Sequence, residues 1–163
     1  MSFLNKVKKK LKNGSWYPFY NSFYENNSLD SRMILLESRS GGALESNILS
    51  LLKELSREPY KNFNLVLSVR KNAESEIKEK LRKNSIQGVS FVHTGSVSYY
   101  RALSRAGYLV NDSSFPGRFV KKEGQIYLNT WHGTPLKKMG RDNRPEMVTM
   151  GNVLRNLLDS DYI

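Results

Sequence analysis

Short, largely apolar runs recur along this chain, separated by stretches with helical spacing, and that rhythm limits its possible folds more than any other feature. Met33-Ile34-Leu35-Leu36 is apolar at every position, the mark of a strand buried on both faces rather than one lying at a surface. Asn64-Leu65-Val66-Leu67-Ser68-Val69, Val89-Ser90-Phe91-Val92, Tyr108-Leu109-Val110 and Gln125-Ile126-Tyr127-Leu128-Asn129 supply four more candidate strands. Between them, Ser46 to Arg57 places Ile48, Leu49, Leu51, Leu52 and Leu55 on one helical face. Ala73 to Asn84 is strongly charged with few apolar positions (Ile77, Leu81), and so predicts an outer helix. Ser96 to Arg105 predicts a third. Strands this short, joined by helices, require right-handed crossovers and hence a parallel α/β sheet flanked by helices. A length of 163 residues suits one such domain, not two.

The two ends depart from this rhythm. Phe3, Leu4, Val7 and Leu11 have helical spacing, with Lys6, Lys8, Lys9, Lys10 and Lys12 around them. A short basic amphipathic helix of this kind can lie on an anionic leaflet, each lysine contributing on the order of 1 kcal/mol near the surface. The alternative is a terminal helix packed on its own domain with a solvated basic face. Gly14 to Asp30, rich in Tyr, Phe, Asn and Ser with Pro18, reads as a linker or an irregular hairpin. Its Tyr17, Phe19, Tyr20, Phe23 and Tyr24 suit either a membrane interface or packing against the domain. Residues 1–30 therefore form one unit and 31–163 another. At the far end Val148 to Leu158 predicts a helix and Ser160 to Ile163 the start of a further strand, which is how a truncated chain reads.

The formal charge of +11 favours anionic partners: nucleic acid, acidic lipid headgroups or phosphate-rich polymers and nucleotides. No RNA- or DNA-binding motif is present and the lysines are spread over outer helices, so a nucleic acid is not the expected partner. No apolar run approaches the roughly 20 residues of a membrane span. The N-terminus lacks the apolar core and cleavage site of a signal peptide, so any membrane contact is expected to be peripheral. The absence of cysteine excludes disulfides, a thiol nucleophile and zinc–cysteine sites, and fits a reducing cytoplasm. With only His93 and His132, a multi-histidine metal centre is not expected.

Open parallel sheets bind ligands beyond the carboxyl ends of their strands. Three loops meet that rule: Glu37 to Gly42, Asn111 to Phe115, and Thr130 to Lys138. The third is the richest in chemistry. Gly133 permits close backbone approach, Thr134 offers a hydroxyl, and Lys137 and Lys138 carry charges suited to phosphate oxygens. Histidine, whose ordinary pKa lies near neutrality, is the natural general base, and His132 is the candidate for that role. A lone histidine in such a loop is more often structural; these neighbours reverse the balance. His93, at the end of the third strand, is read as structural.

The run Tyr127-Leu128-Asn129-Thr130-Trp131-His132-Gly133-Thr134-Pro135-Leu136-Lys137-Lys138-Met139-Gly140-Arg141-Asp142 resembles the signature of the CDP-glycerol glycerophosphotransferase family. Upstream, Ala106-Gly107-Tyr108-Leu109-Val110-Asn111-Asp112-Ser113-Ser114-Phe115-Pro116 is similar to the family's preceding segment, and Leu36-Glu37-Ser38 with Gly42 and Asn47 is a looser match. The resemblance spans roughly Arg32 to Ile163. It implies a Rossmann-like domain, the N-terminal, acceptor-side half of a two-domain GT-B fold. The family's other half carries a second histidine motif and most of the CDP-glycerol site, and no segment here matches it. The implied reaction moves glycerol phosphate, or a related polyol phosphate, from the donor substrate CDP-glycerol to a lipid-linked teichoic-acid-type acceptor, releasing CMP and using no cofactor. His132 would be the base, and Lys137, Lys138 or Arg141 would steady phosphate charge. Asn111 and Ser113 would line the acceptor groove, or simply form a turn. Asp142 would orient a neighbour or cap a helix; Trp131 would stack on substrate or be buried. The resemblance further implies an enzyme on the cytoplasmic face of the membrane. A non-catalytic remnant that binds acceptor or another polyanion is the alternative.

Overall fold

The computed structural model describes residues 16–117, 119–131 and 151–163. Five strands, β1 (Asp30–Glu37), β2 (Asn64–Val69), β3 (Val89–His93), β4 (Ala106–Asn111) and β5 (Ile126–Asn129), form one sheet in the order β3-β2-β1-β4-β5. Every neighbouring pair is parallel. Helices α1 (Trp16–Asn26), α2 (Ser46–Leu55), α3 (Glu74–Lys83), α4 (Val97–Arg105) and α5 (Gly151–Asp159) accompany them. The expected alternation of strand and helix is therefore present, with β1 longer than its apolar run because its first half lies nearer solvent.

The chain runs outward from β1 through β2 to β3, then returns to the other side of β1 for β4 and β5. Direction reverses between β1 and β4, and such a switch point is where open α/β sheets leave a crevice for ligands. Backbones approach closely at the start of this pair. A Cβ on Gly107 would meet the Asp30 carbonyl oxygen at 2.8 Å, so only glycine fits there.

Successive strand residues point to opposite faces. Ile34, Leu36, Leu65 and Leu67 pack with Ile48 and Leu52 of α2 and with Ile77 and Leu81 of α3. Leu35, Val66, Leu109 and Tyr127 pack on the other face with Tyr99 and Leu103 of α4 and with Tyr20 of α1. Complete burial of such aliphatic side chains stabilises the fold by about 1.5–3 kcal/mol each. Glu74 and Glu76 in the first turn of α3, and Lys80, Arg82 and Lys83 in its last, complement the helix dipole on the outer surface.

Residues 16–26 differ from the sequence expectation: they form a helix, not a linker or hairpin. Pro18 stands in the first turn, where its missing N–H costs no helical hydrogen bond. Tyr20, Phe23 and Tyr24 then share one face, and Tyr20 is buried against Tyr24 and Tyr100, with ring centroids 6.4 and 5.8 Å away. The Tyr20 hydroxyl donates to the Val120 carbonyl at 2.9 Å. At the end of the helix, Lys122 Nζ donates to the carbonyls of Tyr24 and Asn27 and lies over the Tyr24 ring. Packing, not a membrane, occupies Tyr20. The basic segment Phe3, Leu4, Lys6, Val7, Lys8, Lys9, Lys10, Leu11 and Lys12 lies outside the described residues.

The C-terminal expectation holds in outline. α5 ends at Asp159, and Tyr162 forms a parallel bridge to Leu128 beside β5. Asp161 accepts from the Tyr127 N–H at 2.7 Å and pairs with Lys121 at 2.6 Å, which holds its carboxyl below the ordinary range.

Candidate functional site

At the carboxyl ends of the strands the side chains turn polar. In the pairing register Ser68 of β2 is partnered with Glu37 of β1, Glu37 with Asn111 of β4, and Asn111 with Asn129 of β5. One rung of four polar residues thus crosses the sheet, and each is at most 1% exposed. They share a face with Leu35, Leu109 and Tyr127, two residues back along their strands, and so look toward α4. The apolar core ends abruptly at this rung.

Above it, the loop after β1 is held from both sides. Ser38 Oγ and the Arg39 N–H both donate to Asp112, each at 2.8 Å, and the Glu45 N–H donates to Ser38 Oγ at 3.2 Å. From the β2 side, the Arg70 N–H donates to the Gly41 carbonyl at 2.7 Å and Arg70 Nε to the Ser40 carbonyl at 3.0 Å. Between these clasps Arg39, Ser40 and Gly41 adopt φ values of 48°, 50° and 75°. A left-handed conformation costs a non-glycine residue roughly 1–2 kcal/mol, and such strain concentrates where a loop serves a site. Gly41 admits no side chain, since a Cβ would fall 2.2 Å from Thr94 Oγ1 and 3.1 Å from the Arg70 nitrogen.

The other two loops join this one. Ser40 Oγ lies 3.4 Å from Ser113 Oγ, Asn129 Nδ2 donates to the Ser113 carbonyl at 2.9 Å, and the Thr130 N–H donates to the Asn111 carbonyl at 2.8 Å. Asn47, near the start of α2, donates to the Thr130 carbonyl at 3.2 Å. Trp131 has φ 49° and its N–H donates to Asn129 Oδ1 at 3.0 Å, so the chain leaves β5 in a fixed direction.

Among the sequence candidates, Asn111 and Ser113 are brought to this crevice. Asn111 is fully buried and its Oδ1 accepts from the Tyr127 hydroxyl at 3.0 Å, so it belongs to the floor; Ser113 is half-buried and faces Ser40. His132, Gly133, Thr134, Lys137, Lys138, Arg141 and Asp142 lie outside the described residues. Trp131 is partly buried. His93 ends β3 at the sheet edge, with Nε2 in hydrogen-bond contact with Glu74 Oε2 at 2.7 Å.

Asp112, Tyr99 and Tyr127 stand in family-like segments without an assigned role, and no sequence signal marks Arg70 or Asn156 as part of this region. Asp112 carries the clasp. Asn156 Oδ1 accepts from the Phe115 N–H at 2.8 Å and from the Tyr127 hydroxyl at 3.2 Å, fastening α5 to the 111–115 loop. A buried position for Asn156 has no local sequence signal, because α5 is otherwise an ordinary amphipathic helix.

Electrostatically the crevice is divided. Its rim carries the guanidinium of Arg39, paired with Glu45 at 3.5 Å, and that of exposed Arg70. Its floor carries two carboxyls, Glu37 and Asp112, which are 1% and 2% exposed. Asp112 is met by two strong donors. Glu37 is less well served: burial, reinforced by the Asp112 charge, pushes its carboxyl up to about 7 against the partial relief of Ser68 and Tyr99 hydroxyls. Burial likewise raises the Tyr99 and Tyr127 phenols well above their ordinary value. Among the described residues no group of three or more histidine, cysteine, aspartate or glutamate side chains could hold a metal ion.

An open parallel sheet, reversing direction beside β1 and closed at its carboxyl end by polar, strained loops, defines a Rossmann-like domain of the GT-B type. The chain belongs to the CDP-Glycerol:Poly(glycerophosphate) glycerophosphotransferase family, whose model matches residues 19–163. It is 31% identical over 121 residues to a teichoic acid poly(glycerol phosphate) polymerase of Staphylococcus epidermidis, an alignment covering 72% of this chain and 15% of that protein. A protein of the same description from Bacillus subtilis is 28% identical over 144 residues, covering 85% of this chain and 18% of its own length. Among solved structures, a variant of the wall teichoic acid polymerase TagF superposes with a TM-score of 0.70 at 25% identity, covering 98% of this chain and 38% of that one. The chain thus spans less than a fifth of the two polymerases' length.

Proposed function

We propose that this chain is the acceptor-side part of a glycerophosphotransferase that moves glycerol phosphate, or a related polyol phosphate, from CDP-glycerol to a lipid-linked teichoic-acid-type acceptor. An acceptor hydroxyl attacks the β-phosphorus of CDP-glycerol; the new O–P bond forms as the bond to the departing CMP breaks. His132 takes the hydroxyl proton as general base, a role worth typically 10²–10⁴-fold in rate. Gly133 and Thr134 line the phosphate path, and Lys137, Lys138 and Arg141 offset the charge that develops there. Asn111 and Ser113 belong to the acceptor side of the cleft. The nucleotide wall is expected from sequence that the longer relatives possess beyond the matched region. The basic residues Lys6, Lys8, Lys9, Lys10 and Lys12, with Phe3, Leu4, Val7 and Leu11, hold the enzyme on the cytoplasmic face of the membrane.

The observation that carries this reading is the family match across residues 19–163, which includes the His132 run directly after β5. It is supported by the switch-point crevice, at whose edge Thr130, two residues before His132 in sequence, donates its N–H to the Asn111 carbonyl. CMP release from CDP-glycerol with a glycerol-phosphate acceptor tests it, comparing this chain, a form extended by a relative's remaining sequence, and His132→Ala in the extended form. The histidine variant is expected to lose about 10²-fold or more. Equal activity with and without His132 would remove it from the base role. Acceptor binding without turnover in every form would favour the non-catalytic alternative.

A further inference from the structure

Buried polar atoms in folded proteins almost always have partners, and leaving one without costs about 1–3 kcal/mol. Four buried side-chain polar atoms among the described residues have none: Glu37 Oε2, Tyr99 Oη, Asn111 Nδ2 and Arg155 Nε. Three of the four converge. Glu37 and Asn111 are register partners at the carboxyl ends of β1 and β4, and the Tyr99 ring reaches the same carboxyl from the first turns of α4. The Tyr99 hydroxyl faces the Glu37 carboxyl, but the contact lacks ordinary hydrogen-bond geometry and leaves Glu37 Oε2 and Tyr99 Oη poorly satisfied.

We propose that Glu37 Oε2, Tyr99 Oη and Asn111 Nδ2 form a subsite for a polyol hydroxyl, the one of the two on the acceptor's terminal glycerol that does not attack the donor. This rests on the acceptor-side reading above. The chemistry of the set decides the ligand class. A carboxyl oxygen accepts, an amide nitrogen donates and a phenol does either, which suits a hydroxyl, since it both donates and accepts. A phosphate is excluded from this spot by the neighbouring carboxyls of Glu37 and Asp112, and is directed instead to the rim, where Arg39 and Arg70 stand. A chain of polyol phosphates therefore meets a cationic rim with its phosphates and a neutral or acidic floor with the non-attacking hydroxyl of its terminal glycerol. The floor is closed over by the clasped loops, so occupancy requires them to shift, and association is expected below the usual range for an open site.

The test is calorimetric binding of two glycerol phosphate oligomers to the 163-residue chain, one ending in free glycerol and one with its terminal hydroxyls methylated. The wild-type chain is expected to prefer the free end by about tenfold or more, the scale of one or two buried hydrogen bonds. Tyr99→Phe and Glu37→Leu are expected to reduce that preference to within about threefold while binding the methylated oligomer as the wild type does. Because its hydroxyl makes only a poorly aligned contact with the Glu37 carboxyl, Tyr99→Phe should melt within a few degrees of the wild-type temperature. If Glu37→Leu does not fold, Tyr99→Phe decides alone. Equal wild-type affinity for both oligomers overturns the subsite and leaves the acceptor reading standing. Equal weakening of both oligomers by the variants assigns the residues a structural role and also overturns the subsite. Binding of neither oligomer overturns the acceptor reading, and the subsite with it.

Discussion

The Glu37 carboxyl is the group whose titration should be felt most in the folded chain. Its pKa is raised from the ordinary carboxylate range to about 7, chiefly by burial. The folded state therefore holds this proton between about pH 4.5 and 7 while the unfolded chain has released it. That contribution to stability is fully present below the unfolded value and is lost as pH rises through 7. Its size is on the order of 3 kcal/mol. Denaturant unfolding of the wild type and Glu37→Gln at pH 5 and pH 8 measures it. The difference between the two proteins should move in favour of the glutamine variant at pH 8, and a difference that does not change with pH would show Glu37 to be ordinary. Neither the position of this carboxyl beside Asp112 nor its burial was legible in the sequence, where Glu37 reads as the polar first residue of a loop. Burial came from its register with Ser68 and Asn111. Asp112 was equally hidden, since its partners Ser38 and Arg39 lie more than 70 residues earlier in the chain.

Among the elements, the strands and the helices between them were legible because their patterns are local. An apolar run records that both faces are covered, and a helical stripe records that one is. Helix α1 was not, since Pro18 and the asparagines and serines beside the aromatics carry the composition of a turn. What makes it a helix is tertiary: its Tyr20 face has Tyr100 and Val120 to lie against, and Lys122 caps its last carbonyls. Amphipathic packing of this kind supplies most helical stability in proteins. Tyr20→Ala is accordingly expected to destabilise the fold by about 3–5 kcal/mol, as for other large aromatic truncations. The thermal midpoint should fall together with the helical circular dichroism of the whole domain. Loss of only a helix's worth of signal, at an unchanged midpoint, would show α1 to be an independent attachment.

For the whole molecule the consequential quantity is charge. A net +11 is not neutralised by the surface pairs on α3, which join Glu74 with Lys78 and Glu79 with Arg82 and Lys83. No helix among the described residues is long and apolar enough to cross a membrane. Attachment through the lysines near the N-terminus predicts co-sedimentation with vesicles containing phosphatidylserine but not with neutral ones. Removal of residues 1–12 should lower that affinity by about 10³-fold or more, given roughly 1 kcal/mol for each of five lysines. Unchanged binding after the deletion would move the membrane contact elsewhere on the surface.

The sequence alone determined a parallel α/β architecture, the three loops at its carboxyl end, and the family to which the His132 run belongs. Each of these is written in contiguous residues, as a periodicity or a motif. Only the tertiary structure decided the strand order, the buried polar rung from Ser68 to Asn129, the Asp112 clasp and the folding of residues 16–26 onto the domain. Periodicity reports which surfaces leave water. It does not report which buried surfaces meet, and the crevice is made entirely of such meetings.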